Sequence, residues 1–266
     1  MNKSQNIFFI ISFSLLIISC NDFQKLLNSD DLSSKYRGAE SYYNEGDYNR
    51  ANRLLEQIIP SYRGKPQAER VLFFFANSYF RTKRYFLAAY QFENFIKSYP
   101  KSQKIEEAYF LEAKSYYHLS PDYSLDQDET RTALEKLQIF INNYPQSEFL
   151  VESNILVDEL ETKLEKKNFE ISKQYYTIRD YKAAIKSLDN FIADFPGTPY
   201  REGAMYYKFL SAYEVGVNSV INKQKERLED LVILYNNIFR YYPETVYADD
   251  LNDKLDEVNN ILELYK

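Results

Sequence analysis

The stretch ANSYFRTKRYFLAAYQF (76–92) decides how this chain folds. It begins with a small residue, Ala76, and an aromatic residue, Tyr79, follows three positions later. After a second aromatic residue, Ala88 and Phe92 repeat the small-then-large spacing at four positions. Residues three or four apart share one face of a helix, and a small residue lets two antiparallel helices approach closely. The stretch therefore predicts two short helices joined by a turn.

The same pattern recurs along the chain. It is clear in AESYYNEGDYNRANRLL (39–55) and SKQYYTIRDYKAAIKSL (172–188), it contains an insertion in a third unit (119–130), and it is degenerate in a fifth. A helix–turn–helix of about 34 residues is the tetratricopeptide pattern. One unit cannot bury its apolar face alone, so neighbouring units must stack. We therefore predict an all-α fold, a tetratricopeptide-repeat α-solenoid of about five helix–turn–helix units with a C-terminal capping helix.

Composition argues against most catalytic and nucleic-acid-binding classes. The formal net charge is −6, whereas a nucleic-acid-binding protein needs a basic face. There is one histidine and one cysteine, too few for a zinc site, and no G-x-S-x-G, G-x-G-x-x-G or Walker loop occurs. We predict a protein that is not an enzyme, with no cofactor, no metal, no nucleic-acid partner and no small-molecule substrate.

The histidine and the acidic insertion have ordinary interpretations. His118 ends a predicted helix, where a surface histidine is expected. The insertion LSPDYSLDQDET (119–130) is rich in carboxylates but lacks the glycine and the ligand spacing of an EF-hand. We interpret it as a solvated acidic loop.

The N-terminus carries a candidate membrane anchor. The apolar run 7–18 is shorter than the roughly 20 residues that span a bilayer, and it fits the core of a secretory signal peptide. It ends in Ile17-Ile18-Ser19-Cys20, which resembles the lipobox of bacterial lipoproteins. This resemblance implies that residues 1–19 are removed and that Cys20 is acylated. The alternative is a signal peptide that happens to contain a cysteine.

Residues 20–34 follow as a predicted tether. We expect a flexible coil, although the pair Leu26-Leu27 could dock on a neighbouring element.

Aromatic residues occupy two positions in the predicted first helix of each of the first four units. These positions lie three before and four after the small residue, and we expect them to face the concave surface. Two interpretations stay open, because tyrosine is common there for packing alone: the ladder packs the repeats, or it binds a peptide that bears aromatic side chains. The candidate peptide-binding residues are Tyr36, Tyr43, Phe73, Asn77, Phe80, Phe110, Tyr117, Phe169 and Tyr176, and Glu40, Lys114 and Lys173 lie beside them.

The lipobox, the repeat order and the closing phrases FIKSYPKS (95–102), FINNYPQSEF (140–149) and FIADFPGTPY (191–200) occur together. In this the chain resembles the BamD family, also called YfiO or ComL, of outer-membrane assembly lipoproteins. The resemblance implies a lipid-anchored protein of the outer membrane that faces the periplasm. It also implies an N-terminal arm, 35–147, that receives unfolded β-barrel precursors. A spacer helix (148–166), two further repeats and the cap (246–265) make up the second arm, 148–266, which would bind the barrel-inserting core subunit.

A second hypothesis keeps the anchor and the repeats but changes the role. A tetratricopeptide lipoprotein of this kind would also suit an adapter for cell-wall synthesis, secretion or motility complexes. An envelope hydrolase that uses His118 is the least supported alternative.

Overall fold

Helices build residues 22–265, the part of the chain that the structure, a computed structural model, describes. No strand is present in that range. A short helix, α1, covers residues 22–27. The longer helices that follow are α2 Leu32–Asn44, α3 Tyr48–Tyr62, α4 Ala68–Arg81, α5 Tyr85–Ser98, α6 Ile105–Leu119, α7 Asp128–Asn143, α8 Leu150–Thr177, α9 Tyr181–Asp194, α10 Arg201–Val217, α11 Ile221–Tyr241 and α12 Ala248–Glu263.

The described residues form two compact units. The first contains residues 22–121 and 127–157, and the second contains 122–126 and 158–265. Within the first unit each helix from α2 to α7 packs against the next, and within the second α9 to α12 do the same. This confirms the predicted all-α fold of tetratricopeptide-like helix pairs. The predicted boundary between the arms lies between residues 147 and 148. The boundary between the compact units lies ten residues later in the sequence, between 157 and 158, within α8.

In the first four repeats, the small residue of each helix and the large residue of the second helix form the core of the helix pair. Ala76, Ala88 and Phe92 are fully buried in the first unit, as are Ala184 and Leu188 in the second. An alanine at the crossing leaves room for the neighbouring backbone, and the large residue one turn later fills the space beside it. The sequence pattern therefore marks the places where the helices touch.

The turn between the two helices of a repeat has a fixed conformation. The seventh residue after the small position has a positive φ in three units: +84° at Gly46, 59° at Lys83 and 64° at Arg179. The next residue precedes the second helix, and Asp47 and Asp180 there accept a hydrogen bond from the amide three residues on. Only Gly46 meets the left-handed conformation without steric cost.

A serine or threonine that joins successive repeats lies two residues after the proline that closes each of them: Pro100, Pro145, Pro196 and Pro243. Its hydroxyl oxygen accepts a hydrogen bond from the amide two residues on, at 2.9 Å for Ser102 and 3.3 Å for Thr245, and so begins the next helix. Ser102 also donates to Glu69 Oε1 at 2.5 Å, and Ser147 donates to Glu106 in the same way. Each bond thus connects the N-terminus of one helix to the N-terminus of the helix two before it, α6 to α4 and α8 to α6. The four equivalent residues are Ser102, Ser147, Thr198 and Thr245.

The predicted boundary after the spacer helix is wrong. Instead of ending at Lys166, the helix continues as α8 to Thr177 and includes the first helix of the fourth repeat. The connecting residues, 166–169, contain neither glycine nor proline, so nothing in them interrupts the backbone hydrogen bonds. The predicted cap is observed as α12, and Tyr206 of α10 donates to Asp250 of that helix at 2.9 Å.

The described part of the predicted tether is ordered. Phe23 is buried, and its ring meets the Tyr42 ring edge-on with 5.6 Å between centroids. Leu26 packs on Gly38, where a Cβ would lie 2.7 Å from Leu26 Cδ1. The alternative that the sequence left open, docking on a neighbouring element, is observed for Leu26. The expectation of a flexible coil is wrong for residues 22–27 and for 32–34, which begin α2. Burial of Phe23 supplies the apolar contact that a free tether would lack.

We predict that Phe92→Ala lowers the free energy of unfolding by about 3–5 kcal/mol, because the ring fills the space between packed helices. Phe86→Ala, on the same helix α5, is the matched control, since its side chain is 72% exposed. The control should stay within about 0.5 kcal/mol of the wild type. Urea denaturation followed by circular dichroism measures both. Equal losses would show that the small and large positions do not form the core.

A second prediction concerns the turn. Lys83→Gly should raise the free energy of unfolding by roughly 0.5–1 kcal/mol, because glycine removes the left-handed strain at a small entropic cost. Gly46→Ala should lower it by roughly 1 kcal/mol for the same reason. The same denaturation experiment tests both variants, and opposite signs are required. A stabilised Gly46→Ala variant would refute this account of the turn.

Candidate functional site

The aromatic ladder divides into two classes. The rings three residues before the small position lie in the core: Phe73, Phe110 and Phe169 are buried. Each packs against a phenylalanine of its own second helix, at centroid distances of 5.4 Å for Phe73–Phe95, 5.6 Å for Phe110–Phe140 and 5.8 Å for Phe169–Phe191. Tyr36 is half-buried and stacks on Tyr62. The buried rings hold the repeats together and present little surface to a ligand.

The rings four residues after the small position are half-buried. In three units this ring packs against the aromatic residue that starts the second helix of the same repeat. Each ring thus supports the turn and leaves part of its area exposed to solvent. The pairs and their centroid distances are Tyr43–Tyr48 at 5.4 Å, Phe80–Tyr85 at 5.6 Å and Tyr176–Tyr181 at 5.8 Å.

Tyr43 links the first two repeats. Its ring stacks on Phe74 with 3.9 Å between centroids, and its hydroxyl accepts a hydrogen bond of 2.6 Å from Asn77 Nδ2. Burial raises the pKa of Tyr43 to about 12, and the Asn77 hydrogen bond only partly opposes this. The phenol therefore stays protonated at neutral pH and keeps its O–H available to donate.

In the third repeat the second helix, α7, begins with Asp128 after the insertion, so no aromatic residue starts it. The ring of His118 instead packs beside Tyr117. Its imidazole stacks on Tyr85 with 4.3 Å between centroids and lies 6.0 Å from Phe80 and 5.4 Å from Tyr117. Partial desolvation of the imidazole, with smaller contributions from nearby lysines, holds the pKa of His118 below its usual value. His118 is exposed, as expected of a surface histidine. Its place among aromatic rings was not predicted, because Tyr85 belongs to the preceding repeat.

The polar residues beside the ladder are engaged in ion pairs. Lys114 Nζ lies 2.6 Å from Glu152, Lys173 Nζ lies 3.4 Å from Glu170, and Glu40 pairs with Arg70. Partly exposed pairs of this kind contribute about 0–1 kcal/mol. A ligand that offers a carboxylate or an amide can therefore replace them at low cost.

The insertion is held in place at its centre. The Lys167 ammonium donates to the carbonyl oxygens of Tyr123 and Leu125, at 3.3 and 2.7 Å, and Lys166 lies over the Tyr123 ring. Across residues 22–265 no group of three or more histidine, cysteine or acidic side chains is arranged to hold a metal ion.

The predicted signal peptide and Cys20 lie outside the described residues. Among the helices of residues 22–265, none combines the length and apolar character needed to cross a bilayer.

Comparison with known proteins places the chain among envelope lipoproteins. The model of the YfiO family, described as outer membrane lipoprotein, matches residues 28–185 and 163–265, which include both compact units. The chain is also 32% identical over 88 residues to the outer membrane protein assembly factor BamD of Caulobacter vibrioides. That second match covers 33% of this chain and 28% of the relative.

The environment of Tyr43 predicts a pH dependence. Its folded-state pKa is raised, so the folded protein keeps a proton that the unfolded chain releases above about pH 10. Its contribution to stability is present below pH 10 and is lost as the pH rises through about 12. Tyr43→Phe should therefore lose less free energy of unfolding over this interval than the wild type.

Urea denaturation at several pH values measures this difference. Tyr90→Phe, which changes an exposed ring in the same unit, is the control and should follow the wild type. If Tyr43→Phe declined as steeply as the wild type, the buried phenol of Tyr43 would not be the cause.

Proposed function

The chain belongs to the YfiO family of outer membrane lipoproteins, and we propose that it acts in outer-membrane protein assembly. In this role it is a non-enzymatic scaffold of the β-barrel assembly machinery that also receives unfolded barrel precursors. The observation that carries the proposal is the family match over both helical units. The similarity to the Caulobacter relative, an outer membrane protein assembly factor, supports it.

The precursor would bind along the half-buried rings of the first unit. Tyr43, Phe80 and Tyr117 follow one another, one in each successive repeat, and the cluster around His118 extends the aromatic surface. An aromatic side chain of an extended peptide gains about 0.5–1.5 kcal/mol per ring contact beyond the burial of its area. The Tyr43–Asn77 pair supplies polar groups for the peptide backbone. Phe73 and Phe110 act on this surface only by holding it in shape, and Phe169 packs in the core of the second unit.

The remaining assignments follow from the family. Removal of residues 1–19 and acylation of Cys20 would anchor the protein in the outer membrane, facing the periplasm. Several acyl chains hold a protein at a bilayer where one chain is marginal. The second arm, 148–266, would bind the barrel-inserting core subunit.

Depletion with complementation tests the proposed function. Cells that lose the protein should lose β-barrel proteins from the outer membrane, as measured by quantitative proteomics. A wild-type copy and a Phe86→Ala copy should restore them, because Phe86 is exposed and is not one of the rings of the proposed peptide-binding surface. The double variant Tyr43→Ala with Phe80→Ala should restore them only in part.

Crosslinking to a barrel C-terminal peptide separates the two interpretations of the rings. The double variant should crosslink less than the Phe86→Ala control while its helical circular dichroism is retained. Equal crosslinking would assign the rings to packing alone. Unchanged barrel levels after depletion would instead overturn the assembly function itself.

A further inference from the structure

One face of α8 in the second unit is open to solvent. Ile171, Tyr175 and Ile178 are 46%, 37% and 63% exposed. They stand four and three residues apart and form one stripe along the helix and its C-terminal end, about two turns long. Three large apolar side chains in one stripe form a continuous uncovered surface rather than the scattered exposure that is normal.

The same positions are covered by a helix in earlier repeats. Ile171 lies one position before the small residue of the fourth repeat, Ser172, and Tyr175 lies three positions after it. In the second repeat the equivalent Phe75 and Tyr79 are 6% and 7% exposed, and their helix α4 packs against α3. Asn52 of α3 donates to the Phe75 carbonyl oxygen at 3.4 Å.

The first repeat shows how a short helix covers this face. Helix α1 places Phe23 edge-on against Tyr42 and Leu26 against Gly38. Gly38 and Tyr42 hold the positions of Ile171 and Tyr175. A single helical turn that carries an aromatic and an aliphatic residue three apart is therefore enough to cover this face. The aliphatic residue needs a small residue opposite it, as Leu26 has in Gly38.

The fourth repeat lacks a separate covering helix because α8 is continuous. Its first helix shares one unbroken segment, Leu150–Thr177, with the residues that precede it, so no turn lets those residues fold back over Ile171 and Tyr175. Near Lys167 the surface is bounded by the insertion, which leaves a cavity of about 380 Å³ lined by Tyr123, Ile171 and Gln174 among others. At the other end Arg179 and Lys182 are exposed within four residues of Ile178.

We propose that an amphipathic helix of a partner protein docks on Ile171, Tyr175 and Ile178. It presents an aromatic residue to Tyr175, as Phe23 does to Tyr42. It presents a small residue to Ile171, because the side chain here is large where Gly38 is small. Acidic residues at one end of the partner helix face Arg179 and Lys182. This surface belongs to the second unit, and its assignment rests on its exposure and on the packing seen in the first repeat, whichever protein supplies the helix.

Site-specific crosslinking in the native envelope tests the proposal. The full chain carries the photo-crosslinker p-benzoylphenylalanine in place of Ile178 or, as a control, in place of Val246, which is 82% exposed in the same unit. We expect one partner to be captured from position 178 and not from 246. Mapping by mass spectrometry should place the crosslink in a segment with helical apolar spacing that contains an aromatic and a small residue.

Variants of the stripe complete the test. Ile171→Asp with Tyr175→Ala should reduce the crosslink from position 178 at least tenfold while helical circular dichroism is retained, because both side chains are already exposed. Lys186→Ala, an exposed change on α9, should leave it unaltered. Capture no stronger than from 246, a crosslink to an extended segment, or capture only of a second copy of this chain would each overturn the proposal. None of these results bears on barrel levels after depletion, so the two proposals fail separately.

Discussion

The close crossing of two helices at a buried alanine is the constraint on which the rest of the structure depends. At Ala76 and Ala88 the absence of a large side chain lets the helices of a repeat touch, and Phe92 fills the space beside the contact. The turn that joins the helices must then be short, which requires the left-handed residue at Gly46 or Lys83. The aromatic residues of the chain are distributed around this crossing.

Position relative to the crossing decides what each aromatic ring does. Rings three residues before the alanine point into the helix pair and are lost to ligands, as Phe73 and Phe110 are. Rings four residues after it are only half covered, so Tyr43 and Phe80 line a surface while they support the turn. One repeated sequence pattern thus yields both a core and a candidate binding surface.

Successive repeats are joined by side-chain hydrogen bonds that the repeated spacing of apolar residues does not reveal. Ser102 and Ser147 each precede a helix and donate to a glutamate at the start of the helix two before it. In the sequence they are recognisable only as the residues that follow a closing Pro-x. Where a separate preceding helix is missing, as before Ile171 and Tyr175, the same packing surface is left open. A departure from the repeat therefore creates a surface that a regular array would bury.

The sequence by itself determined the helices, their pairing and the alanine contacts, because spacing of three and four residues places side chains on one face in any helix. It also predicted the candidate ladder as a set of positions. Only the tertiary structure decided which rings are buried, that Phe23 docks on Tyr42, and that His118 stacks on Tyr85. It also showed α8 to be unbroken through 166–169, where a boundary was expected. The ring contacts join residues distant in sequence, and their strength depends on distance and orientation, which no local pattern specifies.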